Sequence, residues 1–331
     1  MLFQNAKHPV EMKVTHLNKV KAQHKQQLQL QMVNDKGLTS LISRALTDLT
    51  KKDNPKNTSK FGLFKNKPVN KNCFVLDFHG DIKATEVQQL REEISTLLTV
   101  AQAEDEVIVR LESSGGMVHA YGLAAAQLAR IKEAGLNLTV CIDKVAASGG
   151  YMMACVADKI LAAPFAVVGS IGVVAQVPNF HDLLEKHDID VEVFTAGKYK
   201  RTVTVFGENT EEDKQKFQQE LEETHKLFKD FVRKYRPSLD VEQVATGEHW
   251  YGEDAITRNL VDALQTSDSY ILEKMTDSEL YAIQSRQKPT IAQKLGISQA
   301  AQAVVATAID KLPDALAKLE SAKMPMVKKS P

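Results

Sequence analysis

Through the middle of the chain, short runs of apolar residues alternate with longer stretches whose apolar positions recur at helical spacing. Cys73-Phe-Val-Leu-Asp-Phe, Val107-Ile-Val-Arg-Leu and Leu138-Thr-Val-Cys-Ile read as strands. Thr85 to Leu98 and Val118 to Ala134 read as helices between them. A third helix starts at Gly150, Lys159-Ile-Leu-Ala-Ala follows, and Val191-Glu-Val-Phe reads as a buried strand that closes the alternation. Continuous apolar strands separated by helices indicate parallel pairing with crossover helices. The pattern therefore predicts an α/β core from about residue 73 to 265. Thr210 to Tyr235 reads as a long charged helix, capped by Asn209 or Thr210 with acidic residues in its first turn and stopped before Pro237.

The flanks have a different texture. Residues 1–72 are polar and rich in Lys, Gln and Asn, and from Lys51 to Lys71 seven lysines face a single acid, Asp53. They read as a basic arm and linker, with contact to a membrane surface as the alternative. The end of the chain reads as an Ala-rich helical tail. This gives three segments: an arm at 1–72, a central domain at 73–270 and a tail at 271–331.

Composition narrows the picture. Lys+Arg and Asp+Glu both count 42, so no net field draws nucleic acid. Three cysteines make no disulfide framework, and Cys141 and Cys155 read as small core residues. No run of 18 or more apolar residues marks a transmembrane helix, and Met1 to Val10 lacks the apolar stretch of a signal peptide.

Candidate chemistry gathers in glycine-rich turns. In Lys144-Val-Ala-Ala-Ser-Gly-Gly-Tyr-Met-Met-Ala, Ser148 ends a strand and opens a helix. Small neighbours admit a substrate backbone, the Gly149 amide suits an oxyanion donor, and the helix N-terminus adds partial positive charge. The competing reading is an N-cap serine with glycines for close packing. Arg110-Leu-Glu-Ser-Ser-Gly-Gly-Met-Val is a similar turn whose Gly115 and Gly116 amides are candidates for a second donor; it is neither a P-loop nor a dinucleotide fingerprint. Ser170 sits in a third turn, Val168-Gly-Ser-Ile-Gly-Val. A nucleophilic serine needs a base. His119, His181 and His187 are outside glycine-rich or apolar turns, whereas Lys198 and Lys200 follow the expected strand at 191–194. A lysine acts as a base only where its surroundings favour the neutral amine. No His/Cys/Asp cluster has metal-ligand spacing, and no cofactor is expected.

Four stretches occur in order: Leu-Glu-Ser-Ser-Gly-Gly-Met-Val-His, Asp-Lys-Val-Ala-Ala-Ser-Gly-Gly-Tyr-Met-Met-Ala-Cys, Val-Gly-Ser-Ile-Gly-Val-Val-Ala-Gln and Thr-Ala-Gly-Lys-Tyr-Lys-Arg-Thr. Together with Gly-Glu-Asn-Thr-Glu-Glu and Val-Ala-Thr-Gly-Glu-His-Trp-Tyr-Gly, they resemble the SohB-type inner-membrane peptidases of the signal peptide peptidase A family, over roughly 73–270. The resemblance implies a ClpP/crotonase-like spiral of ββα units and a serine endopeptidase without metal or cofactor. It places the nucleophile on Ser148, the base on Lys200, a supporting hydroxyl on Ser170 and the oxyanion amides on Gly115 and Gly149. It further implies membrane-derived or signal peptides as substrates, a homo-oligomer with sites at subunit boundaries, and an inner-membrane location with a periplasmic catalytic domain. Two features depart from the family. Ser114 stands where a proline is usual, and the N-terminal anchor is not in this chain. An acyl-CoA enzyme on the crotonase superfold and a non-catalytic membrane scaffold remain the alternatives.

Overall fold

The structure, a computed structural model, describes residues 10–32 and 71–287. The strands are β1 (Val10–His16), β2 (Asn72–Gly80), β3 (Glu106–Ser113), β4 (Asn137–Ile142), β5 (Val145–Ala147), β6 (Lys159–Ala162), β7 (Val167–Gly169), β8 (His249–Tyr251), β9 (Ala263–Leu264) and β10 (Glu279–Gln287). The helices are α1 (Leu17–Met32), α2 (Val87–Leu97), α3 (Val118–Glu133), α4 (Gly149–Ala154), α5 (His181–Glu185), α6 (Glu211–Tyr235), α7 (Val241–Val244), α8 (Gly252–Thr257) and α9 (Ser267–Lys274). The described residues between Met12 and Ser285 make one compact unit.

The sheet runs β1-β10-β2-β3-β4-β6-β9, with β5 branching from β3 and continuing through β7 to β8. Pairing from β10 to β9 is parallel along the main path, and β7–β8 is antiparallel. The α/β class read from the apolar runs is the architecture observed. Alternation explains why those runs are continuous: both sheet faces are covered. Phe74, Leu76 and Phe78 of β2, with Val107, Val109 and Leu111 of β3, face the main core beneath α2, α3 and α4. The intervening Cys73, Val75 and Ile108 face a second cluster with Tyr270 and Ile271 of α9. All three cysteines are free and buried, and burial pushes the Cys73 thiol up to about 11.

Three expectations change. The segment 191–194 is exposed and forms no strand. The sheet ends instead with β9, which pairs with β6 through Leu161–Ala263 and Ala162–Leu264. The expected boundary at 270 falls inside α9, and the supposed tail holds, after the end of that helix, strand β10, which pairs with β2 from Glu279–Asn72 to Ala282–Val75. The supposed arm contributes β1 at the sheet edge and α1, whose Asn18 side chain accepts from the Leu280 amide at 2.8 Å. The basic run from Lys51 to Lys67 and the tail from 288 on lie outside the described residues. Among the described residues, no helix is long and apolar enough to cross a membrane.

Candidate active site

Parallel strands β3, β5 and β7 deliver three turns to one place. Ser113 pairs with Ala146, and Ala147 with Gly169, so the residues after each strand converge. They line a cavity of about 590 Å³ that contains Ser114, Gly115, Gly116, Ser148, Ser170 and Gly172. The structure thus brings together Ser148, Ser170 and the 114–116 turn, as the motifs suggested.

Ser148 has φ 52 and ψ −119 and precedes the first turn of α4. This is a conformation that a residue with a Cβ adopts rarely. It is held by the Ser148 amide, which donates to the Gly169 carbonyl at 2.8 Å, and by its carbonyl, which accepts from Met152 at 2.9 Å. Its side chain makes no N-cap hydrogen bond, so the competing N-cap reading is not what the structure shows. α4 must approach closely for this turn to form. A Cβ on Gly149 would lie 2.4 Å from the Tyr121 ring.

The two glycine turns meet across the cavity. Gly115 has φ +91, and a Cβ there would lie 2.7 Å from both the Gly149 amide nitrogen and Ser148 Cβ. The Gly149 and Gly116 amides have no backbone acceptor among the described residues. The Gly115 amide differs from expectation, because it donates to Ser113 Oγ at 3.1 Å. Ser113 in turn shares a 2.5 Å hydrogen bond with the Tyr121 hydroxyl, which donates to the Asp81 carbonyl at 2.7 Å. As the turn stands, Gly115 braces its own loop, and Gly116 presents the free amide.

Lys200 does not line this cavity. It is exposed on a long excursion between α5 and α6 whose base is pinned by side chains. Asn179 Nδ2 donates to the carbonyls of Thr204 and Gly207, and Asn209 Oδ1 accepts from the Thr204 amide. Lys198 pairs with Glu212 at 2.9 Å. The Tyr199 hydroxyl and Glu212 hold the Lys198 ammonium above its ordinary range, the wrong direction for a base that must shed its proton. His119, His181 and His187 do not line the cavity either, but His225 of α6 does. Sequence reasoning missed it because it lies in a charged helix, well beyond Ser148 along the chain, with no turn motif beside it. His181, Asp182 and Glu185 gather on the exposed surface of α5 and touch none of this.

A second cavity, of about 180 Å³, lies over the other face of β2–β4. Its charges are committed within the fold. Arg110 pairs with Asp77 at 2.6 Å and Lys144 with Glu112 at 3.0 Å, while Asp143 accepts from the Ser267 amide at 2.8 Å.

The chain is similar to known proteins over most of its length. Residues 130–281 match the model of peptidase family S49, and residues 2–128 match the S49 N-terminal model. The chain is 65% identical over 223 residues to a probable protease SohB of Haemophilus influenzae, covering 67% of this chain and 63% of that protein. It is 55% identical over 216 residues to a probable protease SohB of Buchnera aphidicola subsp. Schlechtendalia chinensis, covering 65% of this chain and 70% of that one. A solved structure of a mutant of 1510-N, a membrane-bound stomatin-specific protease, aligns with TM-score 0.42 and 12% identity, over 64% of this chain and 97% of that one. The chain spans less than two thirds of the length of the Haemophilus relative. On the two family models and these identities, the chain belongs to peptidase family S49.

Proposed function

We propose that this chain is the catalytic part of a serine endopeptidase in which Ser148 is the nucleophile and Lys200 the general base. The observation that carries the reading is the Ser148 turn. A serine in a strained conformation opens α4 inside a cavity, with its side chain uncommitted as a cap and free amides at Gly149 and Gly116 close by. Such donors stabilise a tetrahedral oxyanion. In the reaction, the Ser148 hydroxyl attacks the scissile carbonyl while neutral Lys200 takes its proton. Lys200 then protonates the departing amine, leaving an acyl-enzyme, and activates a water that releases the acid. Ser170, on the cavity wall, is the hydroxyl to orient the lysine amine. Gly115 joins the oxyanion hole if its turn swings its amide away from Ser113 Oγ, with Gly116 as the donor already free.

The position of Lys200 favours a base supplied between copies of the chain. Its excursion exposes Phe194 at 87%, and Val174 on the cavity wall is 91% exposed, apolar side chains that a lone subunit leaves in water. Packing against a second subunit would bury these groups and give the amine a desolvated setting. The substrates we assign are unfolded peptides of membrane or signal-peptide origin, handled by a homo-oligomer at the periplasmic face of the inner membrane.

Labelling with a fluorophosphonate tests the reading. Wild type should be labelled on Ser148 and should cleave peptides, Ser148→Ala should do neither, and Lys200→Ala should lose turnover. An unlabelled wild type would favour the acyl-CoA enzyme or the scaffold instead.

A further inference from the structure

His225 is the side chain that the reaction scheme above leaves unused. It is half-buried on α6, lines the same cavity as Ser148 and Ser170, and brings its Nε2 to 3.3 Å from the Ile171 carbonyl oxygen. A carbonyl only accepts, so Nε2 carries the proton and is spent in this bond; it is not available to take a proton from Ser148. The same carbonyl accepts from the Gly247 amide at 3.2 Å. One residue earlier, Ser170 donates its amide to the Glu248 carbonyl at 2.6 Å, and one before that, the Gly169 carbonyl holds the Ser148 amide at 2.8 Å. Residues 169–171 therefore bridge the nucleophile turn on one side and the 247–248 loop on the other. Within this bridge Ser170 has φ 51, a left-handed conformation that serine adopts rarely and that persists only where neighbours enforce it.

We propose that His225 is a positioning residue for the catalytic cavity: its Nε2–H bond to Ile171 fixes the 169–171 bridge, and through it places the Ser170 hydroxyl and the Ser148 turn relative to each other. The proposal rests on the peptidase reading for its chemistry and on geometry alone for its structural half. α6 thus does more than fill space behind the site, since it reaches into the wall of the cavity through one polar contact.

Two amide substitutions separate reach from polarity. In His225→Gln the amide nitrogen stands where Nε2 stood and can donate to Ile171, whereas the shorter Asn amide of His225→Asn falls short of it. Each is made in the full chain and again on the Ser148→Ala background. His225→Asn should slow fluorophosphonate acylation and kcat by about 10-fold or more, with KM changed by at most about 2-fold, as expected when reacting groups are misplaced rather than removed. It should also speed amide hydrogen exchange at 170–174 and 247–248 in both backgrounds. His225→Gln should stay within about 3-fold of wild type in both readouts. Equal damage from Gln and Asn, or an Asn variant with unchanged acylation and exchange, overturns the proposal. If Ser148→Ala still cleaves peptides, the peptidase reading fails, and the exchange measurement on that background still decides the role of His225.

Discussion

At Ser148 the backbone bears a conformational cost so that the hydroxyl stands clear of the helix it opens. The Cβ is what makes φ 52 expensive. Ser148→Gly should therefore be more stable than Ser148→Ala by about 1 kcal/mol in urea unfolding, although both are inactive. A glycine variant less stable than the alanine one would contradict the strained turn. The two lysines should separate as sharply. Lys198→Ala removes only a surface ion pair with Glu212 and should keep most activity, while Lys200→Ala and Lys200→Arg should both be inactive, since guanidinium stays protonated. Peptide turnover at one pH checks all three.

Glu93 offers a prediction for pH. It is buried, and burial, the largest influence, raises its carboxyl above the usual 4.5, partly offset by the Ser285 amide that donates to it at 2.6 Å. A raised folded-state pKa means that the native state holds the proton more tightly than the unfolded chain. The stabilisation is complete below the unfolded pKa and is lost as pH rises through the folded one. Glu93→Gln, which keeps an acceptor for Ser285 and carries no charge, should gain stability over wild type at pH 7 and show no gain near pH 4. Urea midpoints across that range provide the check, and a gain that is independent of pH would contradict it.

Among elements, α6 is the one that ties the site to strand β6. Its start is fixed by a capping box: Thr210 Oγ1 accepts from the Asp213 amide, and Asp213 accepts from the Thr210 amide. Just past its end, Arg236 is buried and forks onto Asp262 at 2.7 and 2.9 Å, while Asp262 also accepts from the Ile160 amide of β6. Asp262 itself is exposed, so Arg236→Ala leaves no buried charge behind; losing the charge-assisted hydrogen bonds of the buried guanidinium to Asp262 and the Asn259 carbonyl should cost about 1.5–3 kcal/mol by urea unfolding. A cost below about 1 kcal/mol would place the pair among ordinary surface bridges. The elements legible in the sequence are those whose signals are local. Apolar runs marked β2, β3 and β4, and Thr210 with its acids marked the start of α6. Val191-Glu-Val-Phe carries the same apolar signal, yet it is exposed and pairs with no strand, and the sheet ends on β9 beside β6, which no local pattern reveals. β1 and β10 failed to register for the opposite reason: their sequences, Val-Glu-Met-Lys-Val-Thr-His and Glu-Leu-Tyr-Ala-Ile-Gln-Ser-Arg-Gln, mix polar with apolar residues, and their identity as strands comes from pairing far along the chain. The site divides in the same way. Ser148, Ser170 and the 114–116 glycines announce themselves by turn motifs, whereas His225 reaches the cavity only because α6 packs there.

At the scale of the whole molecule, the folded unit is larger than the motif-bearing stretch. A chain cut to 73–270 loses β10, with buried Leu280 and Ile283, and exposes the edge of β2 that β10 covers. It should fail to reach the native state, and far-UV circular dichroism with a cooperative melt in the truncated chain would contradict this. The larger claim is that Ser148 and Lys200 act together although they do not share a cavity in one subunit. Co-assembly of Ser148→Ala subunits with Lys200→Ala subunits, each inactive alone, tests it most directly. If the lysine of one copy serves the serine of the next, mixed oligomers regain a fraction of wild-type peptidase activity. Verified mixed oligomers with no activity would contradict the shared site.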